Sequence, residues 1–309
     1  MQVFTEVPLN AEPCVLALGN FDGVHIGHRR LLRSGLEKAK QLGIKMCVLV
    51  FQPHPLKLLA PDRRVEYLTT QEERIRIFET IGIDKLFILP FNYTMADKSP
   101  ESFIKDVIIP LGASHIVVGF NYSFGSQGKG TPFDLQELGQ RYGFAVSILQ
   151  AQTIDGKVIS SSSIRKALSQ GDISTAAKML GRYPSLSGAV IKGEQRGRVL
   201  GFPTANINPS EEILIPKRGV YAVQVSRGAN SYFGMMNIGM KPTFHNFYVR
   251  TIEVHLFDFN EKIYGEKLLI RIVERLRDEK KFNDIKELRA QLEKDAQDSL
   301  KVLTSMDLR

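Results

Sequence analysis

Apolar positions in the first half of the chain fall in short, nearly unbroken runs at residues 15–18, 45–51, 85–91, 115–120 and 144–150. Runs of this kind suit strands buried on both faces. The stretches between them carry apolar residues at helical spacing. One helix is expected over 28–42, and a second runs to Ile81 behind the capping-box pair Thr70 and Glu73. A third opens at Ser99, with Pro100 in the first helical position, and ends near Pro110. Between the last two runs lie a glycine-punctuated loop and a polar helix. Five strands alternating with helices predict an α/β doubly wound parallel sheet.

The pattern changes near residue 183. Residues 186–192, 219–226, 232–238, 250–259 and 267–276 are β-rich and joined by glycine and asparagine turns, which predicts a small antiparallel β-barrel or sandwich. A terminal amphipathic helix from Asn283, with Ile285, Leu288, Leu292 and Ala296 on one face, is expected to pack on it. With the boundary in the turn at 181–185, the chain divides into domains 1–183 and 184–309.

Composition narrows the classes. A chain of 309 residues can hold two cores, and 43% hydrophobic with 24% charged residues is ordinary for a globular protein. The net charge of +8 favours anionic ligands. Basic pairs such as Arg29-Arg30, Arg63-Arg64 and Lys280-Lys281 are scattered among acidic residues and read as solvated faces; no nucleic-acid module accompanies them. Cys14 and Cys47 sit beside apolar runs, which argues against a disulfide framework and for a reducing compartment. Residues 1–13 lack a secretory pattern, and no apolar run of membrane length occurs, so a cytoplasmic protein is expected.

The densest chemistry lies in Gly19-Asn20-Phe21-Asp22-Gly23-Val24-His25-Ile26-Gly27-His28, between the first strand and its helix. A helix N-terminus offers unpaired N–H groups and positive potential, and glycines let the backbone approach an anion. His25 and His28, with Gly27 leaving room, can face one phosphate and stabilise charge as pyrophosphate departs. The HxxH spacing also suits a metal pair, although no further Cys or His stands nearby in ligand spacing. Ligands of doubly wound sheets sit beyond the carboxyl ends of the strands, so loops 52–55, 91–98 and 121–130 converge on the same rim. There Asn121, Tyr122 and Phe124 can bond and flank a flat ring, or form a plain polar loop. Ser160 to Ser163 and Arg165 open another helix, either as an anion-binding corner or as a serine cap with a solvated arginine.

Written in full, G-x-F-D-G-x-H-x-G-H resembles the nucleotidyltransferase superfamily, and more closely the prokaryotic bifunctional riboflavin kinase/FMN adenylyltransferase family, FAD synthetase. Further segments resemble the same family: Phe51-Gln52-Pro53-His54-Pro55, the aromatic segment ending at Gly125, and the Ser-Ser-Ser-Ser-Ile-Arg run. The resemblance implies ATP binding by Gly19, Phe21, Asp22, Gly23, Gly27 and Ser162. It also implies flavin contacts by His54, Asn121, Tyr122 and Phe124, and phosphate stabilisation by His25, His28 and Arg165.

In the second half, Gly197 to Asn206 combines glycines at 197 and 201 with a hydroxyl and a carboxamide two residues apart. On an extended chain Thr204 and Asn206 point the same way and can share one Mg²⁺, though a β-turn with a polar corner explains them as well. The segment resembles the G-F-P-T-A-N signature of riboflavin kinases, which places the Thr and Asn at ATP-bound magnesium. Glu253 shares a strand face with His255 and Phe257. A carboxylate there is ordinarily solvated, but the E-x-[HN]-L-x-D-F resemblance makes Glu253 the catalytic base. Asn237-Ile238-Gly239 and Lys241-Pro242-Thr243 match the same family. The linker Gly181-Arg182-Tyr183-Pro184 departs from it by reversing the usual Pro-aromatic order.

The resemblance thus implies riboflavin phosphorylation to FMN and adenylylation of FMN to FAD, with ATP and Mg²⁺, and no nucleic-acid or membrane partner; the oligomeric state is open. The rivals are a monofunctional adenylyltransferase with an inactive kinase barrel, a different HxGH enzyme, and a flavin-binding protein without activity.

Overall fold

A computed structural model describes the chain except residues 9–10, 63–64, 194–196, 198–199, 211, 243–247 and 307–309. Arg63, Arg64, Arg198, Val199 and Thr243, all within segments quoted above, lie outside the described residues. Two compact units emerge, one of residues 1–66 and 71–160, the other of 67–70 and 161–309.

The first unit holds β1 (Gln2–Phe4), β2 (Cys14–Leu18), α1 (Ile26–Leu42), β3 (Lys45–Gln52), α2 (Pro55–Leu59), α3 (Gln71–Ile81) and β4 (Lys85–Pro90). It continues through α4 (Tyr93–Ala96), α5 (Pro100–Phe103), a π-helical turn, β5 (Ala113–Gly119), α6 (Pro132–Tyr142), β6 (Ala145–Leu149) and the small hairpin β7 (Thr153–Ile154) and β8 (Lys157–Val158). The main sheet has the order β1-β4-β3-β2-β5-β6, and every pair is parallel. All five predicted strands are present. The sixth, β1, escapes periodicity because three residues are too few to show a period.

Both faces of the sheet are covered, which explains the unbroken apolar runs. Leu16, Leu18, Leu49, Phe87 and Ile116 enter one core, while their chain neighbours Val15, Ala17, Val48, Leu86 and Val117 enter the other. From the central β2 the chain runs out through β3 and β4, then returns on the opposite side to β5 and β6. The reversal falls between β2 and β5, and the carboxyl ends of strands at such a point are where doubly wound sheets hold ligands.

The second unit carries α7 (Ser161–Gln170), α8 (Ile173–Leu180), β9 (Ser185–Ile191), β10 (Ala205–Pro209), β11 (Gly219–Arg227), β12 (Asn230–Pro242), β13 (Tyr248–Leu256), β14 (Lys267–Arg277) and α9 (Ile285–Thr304). The strands close into a six-stranded barrel of order β10-β13-β12-β11-β14-β9, all pairs antiparallel. A barrel, not an open sandwich, is therefore the solution. Its additional strand is β10, formed by the end of the G-F-P-T-A-N segment, where adjacent polar residues hide the strand pattern.

Helix α9 is capped by Asp284, whose side chain accepts from the Glu287 N–H, and it does cover the barrel. Its packed side begins one turn later than predicted: Ile285 is exposed, whereas Asp295, Ser299 and Leu303 are buried. Asp295 is only 2% exposed, and Arg277 on β14 grips it with two bonds, Nε to Oδ1 at 2.8 Å and Nη2 to Oδ2 at 2.6 Å. Gln291 adds a third at 2.9 Å. Removing one partner of such a pair strands the other charge. Asp295→Ala is therefore expected to lower stability by about 3 kcal/mol in urea unfolding, while Glu293→Ala in the exposed pair with Arg289 changes it by less than about 0.5 kcal/mol.

Candidate active sites

In the first unit the glycine-histidine segment forms the turn from β2 into α1. Phe21 and Val24 adopt left-handed backbone angles, φ 48° and 38°, which side chains other than glycine rarely take. Phe21, Asp22 and Val24 are nonetheless almost fully buried, so packing holds the turn in shape. His25 is the N-cap of α1, and its Nδ1 accepts the His28 N–H at 3.2 Å. The neutral ring therefore carries its proton on Nε2. The two imidazoles stack at 3.6 Å between centroids with a 17° tilt. A Cβ at position 27 would lie 3.2 Å from the His25 ring, so glycine there makes room for the pair.

The His28 proton affinity is pushed well below the usual imidazole range, mainly by burial, then by the charges of His25 and Arg74. His28 Nδ1 is buried and has no hydrogen-bond partner. An uncharged, incompletely satisfied imidazole at a helix N-terminus is ready for an anion.

His54, from the loop after β3, reaches the same turn. It caps the short α2, its Nδ1 accepting the Leu56 N–H at 3.1 Å, which leaves the ring proton on Nε2. That nitrogen lies 3.1 Å from Asn20 Nδ2, and a half-turn of the Asn20 amide would present its oxygen as the acceptor. Arg74 on α3, 8% exposed, donates from Nη1 to the Asn20 carbonyl at 2.9 Å. The sequence reading missed Arg74 and assigned no role to Asn20. The legible signal was a charged residue one turn before Phe78, on the inward stripe of α3.

After β5, Asn121 is exposed. Phe124 is 5% exposed and packs in the core, and Tyr122 lies nearly parallel to it at 6.0 Å. The two rings thus stack on one another. Ser162 and Arg165 lie in the opening turns of α7, within the second unit.

On the barrel, strand register assembles a site that the linear sequence scatters. Asn206 on β10 pairs with Glu253 on β13, and Glu253 pairs in turn with Asn237 on β12. Residues opposite one another share a face, so the three form one polar row across adjacent strands. Their chain neighbours Ile252, Val254, Met236 and Ile238 are buried in the barrel interior, which puts the row on the outer wall. His255 Nδ1 lies 2.7 Å from the Pro203 carbonyl, tying β13 to the segment that carries Thr204.

A cavity of about 230 Å³ opens on this row, lined by Gly197, Thr204, Asn206, Asn237, Thr251, Glu253 and Glu279. Gly239 forms part of its wall: a Cβ there would stand 2.5 Å from a Glu279 carboxylate oxygen, 3.2 Å from Asn237 Nδ2 and 3.4 Å from Thr251 Oγ1. The Gly197 turn, closed by the Phe202 N–H to Gly197 carbonyl bond at 2.8 Å, leaves no room for a Cβ, and Gly201 has φ 83°. A second cavity of about 270 Å³ shares Thr204, Asn237, Glu253 and Glu279 and extends between Leu200, Phe202, Met235, Phe282, Leu288 and Leu292. One end is therefore polar and the other apolar. Asn237 was quoted in the sequence without a role, and Glu279 was missed, because only barrel closure brings them beside Glu253.

Comparison with known proteins finds a separate family match for each part of the chain. A model of the FAD synthetase family matches residues 7–163, and a riboflavin kinase model matches residues 180–303. A bifunctional riboflavin kinase/FMN adenylyltransferase of Listeria monocytogenes is 40% identical over 92% of this chain and 91% of its own length. Its Bacillus subtilis counterpart is 40% identical over 94% and 93%, and that of Escherichia coli K12 is 35% identical over 92% and 91%. A crystal structure described as a macrolide-efflux protein from Streptococcus pneumoniae superposes with a TM-score of 0.88 at 31% identity, covering 96% of this chain and 97% of that one. Among the described residues here, no helix is long and apolar enough to cross a membrane.

Proposed function

The chain belongs to the bifunctional riboflavin kinase/FMN adenylyltransferase family, and from that premise we propose how its residues divide the chemistry. The activities are those of the family: riboflavin and ATP give FMN, then FMN and ATP give FAD and pyrophosphate. We assign the second reaction to residues 1–183 and the first to residues 184–309. This division rests on one observation, that each matched segment has its own cluster suited to phosphate chemistry.

For adenylyl transfer, an oxygen of the FMN phosphate attacks the α-phosphorus of ATP, and the bond to pyrophosphate breaks. The nucleophile is already an anion, so no base is required. The work is positioning and charge stabilisation by the His25 Nε2–H, His28 and the N–H groups opening α1, with Gly19, Phe21, Asp22, Gly23 and Gly27 shaping the turn. Ser162 and Arg165 are assigned to ATP phosphates on the strength of the sequence match alone. His54, Asn121 and Tyr122 serve the flavin, and Phe124 backs the Tyr122 ring.

For phosphorylation, Glu253 accepts the proton of the riboflavin 5′-hydroxyl as that oxygen attacks the γ-phosphorus and ADP leaves. The apolar cavity suits the flavin ring, and the polar one the phosphates. Hydroxyl, carboxamide and carboxylate oxygens around a glycine-lined hollow are the hard donors that magnesium takes, and Thr204 and Asn206 would hold it. Bound there, magnesium neutralises phosphate charge. We place the reactions in the cytoplasm, where ATP is available and thiols such as the unbridged Cys14 and Cys47 persist.

Incubating the protein with riboflavin, ATP and Mg²⁺, with a parallel run from FMN, tests the assignment by chromatography. Riboflavin should pass through FMN to FAD. Adenylylation of FMN with riboflavin untouched would mean that the barrel has lost its kinase activity.

A further inference from the structure

Arginine is seldom buried, because withdrawing its charge from water is costly without a role or partners to offset it. Arg74 is buried on α3 one turn before the fully buried Phe78, and both side chains meet the turn between β2 and α1. Phe78 packs edge-on against Phe21 at 5.8 Å, and Phe21 packs edge-on against His28 at 5.2 Å. Arg74 bonds the carbonyl of Asn20, the residue just before Phe21, whose backbone is held in a left-handed conformation. The same Asn20 reaches His54 with its side chain. A single helix thus grips the turn by an aromatic contact and by a charge-assisted hydrogen bond.

We propose that Arg74 is a positioning residue for adenylyl transfer: by fixing the Asn20 carbonyl it sets the turn that carries His25 and His28 and the contact between Asn20 and His54. This rests on the reading of the two histidines given above. Arg74 bonds the backbone of the turn, so the positioning effect argued here acts through the turn. Its charge also opposes protonation of His28, after the larger effects of burial and of His25.

Methionine in place of Arg74 keeps the apolar stem and loses the donor and charge, whereas lysine keeps both in a different shape. Arg74→Met should lower kcat for FAD formation from FMN about tenfold or more, with KM for FMN changed less than about threefold. Riboflavin phosphorylation by the same variant and its melting temperature should stay near wild type, and Arg74→Lys should recover most of the lost kcat. The inference is overturned if Arg74→Met retains wild-type kcat, if Arg74→Lys is no better than Arg74→Met, or if both variants lose both activities together with the fold. His28→Ala is run alongside. If it makes FAD at the normal rate, the reading of the histidines is what has failed; if it does not, a normal Arg74→Met variant rejects the positioning role by itself.

Discussion

His28→Ala is expected to make FAD from FMN about 100- to 1000-fold more slowly than the wild-type chain, the range seen when one preorganised donor to a developing anion is removed. The same variant should convert riboflavin to FMN at the normal rate. The first expectation follows from what the side chain does in the site. His28 stacks on His25 and is held uncharged by burial, with a buried Nδ1 that has no partner. The ring contacts contribute modestly to packing, whereas burying an unsatisfied nitrogen costs stability. Alanine should therefore be tolerated by the fold, provided that Phe21, which uses the His28 ring as an edge contact, keeps its packing against Phe78. The second expectation follows from the separate cluster on the barrel. The check is a time course from each substrate with ATP, alongside a melting curve. Loss of both activities in a folded variant would contradict the assignment of adenylyl transfer and phosphorylation to separate residues.

The sheet was legible in the sequence because doubly buried strands leave uninterrupted apolar runs, as in Cys14–Leu18, where all five residues are buried. The barrel was legible in outline, but β10 was hidden: Ala205, Asn206 and Asn208 do not alternate in hydrophobicity, since one side of that strand serves a polar cavity. The same property separates what could be read of the sites. His25 and His28 lie within one turn of chain and announce themselves. Arg74 is 54 residues from the Asn20 carbonyl that it bonds, and a backbone carbonyl carries no sequence signature. Asn206, Asn237 and Glu253 become neighbours only through the register of β10, β13 and β12, and Glu279 joins them from beyond β14. Sequence patterns report which face a residue occupies, and long-range pairing decides what it meets there.

Glu253→Gln should do the reverse of the histidine variant: phosphorylation of riboflavin is expected to fall by about 100- to 10,000-fold, the span that a positioned general base contributes, while FMN is still adenylylated at the normal rate. Glutamine preserves volume and hydrogen-bonding capacity beside Asn206 and Asn237, so packing in the polar row is kept and only the proton acceptor is lost. Glu279, the other carboxylate in the cavity, provides the contrast. Its oxygen sits against Gly239, and Arg218 approaches it to 3.9 Å, so it is placed to shape the cavity wall and hold a partner cation. Glu279→Gln should weaken apparent ATP or Mg²⁺ affinity more than it lowers kcat, whereas Glu253→Gln should lower kcat at saturating ATP and Mg²⁺. Steady-state rates from riboflavin over a matrix of ATP and Mg²⁺ concentrations separate the two. Recovery of Glu253→Gln at high Mg²⁺ would assign that carboxylate to the metal and leave the 5′-hydroxyl without its proposed base.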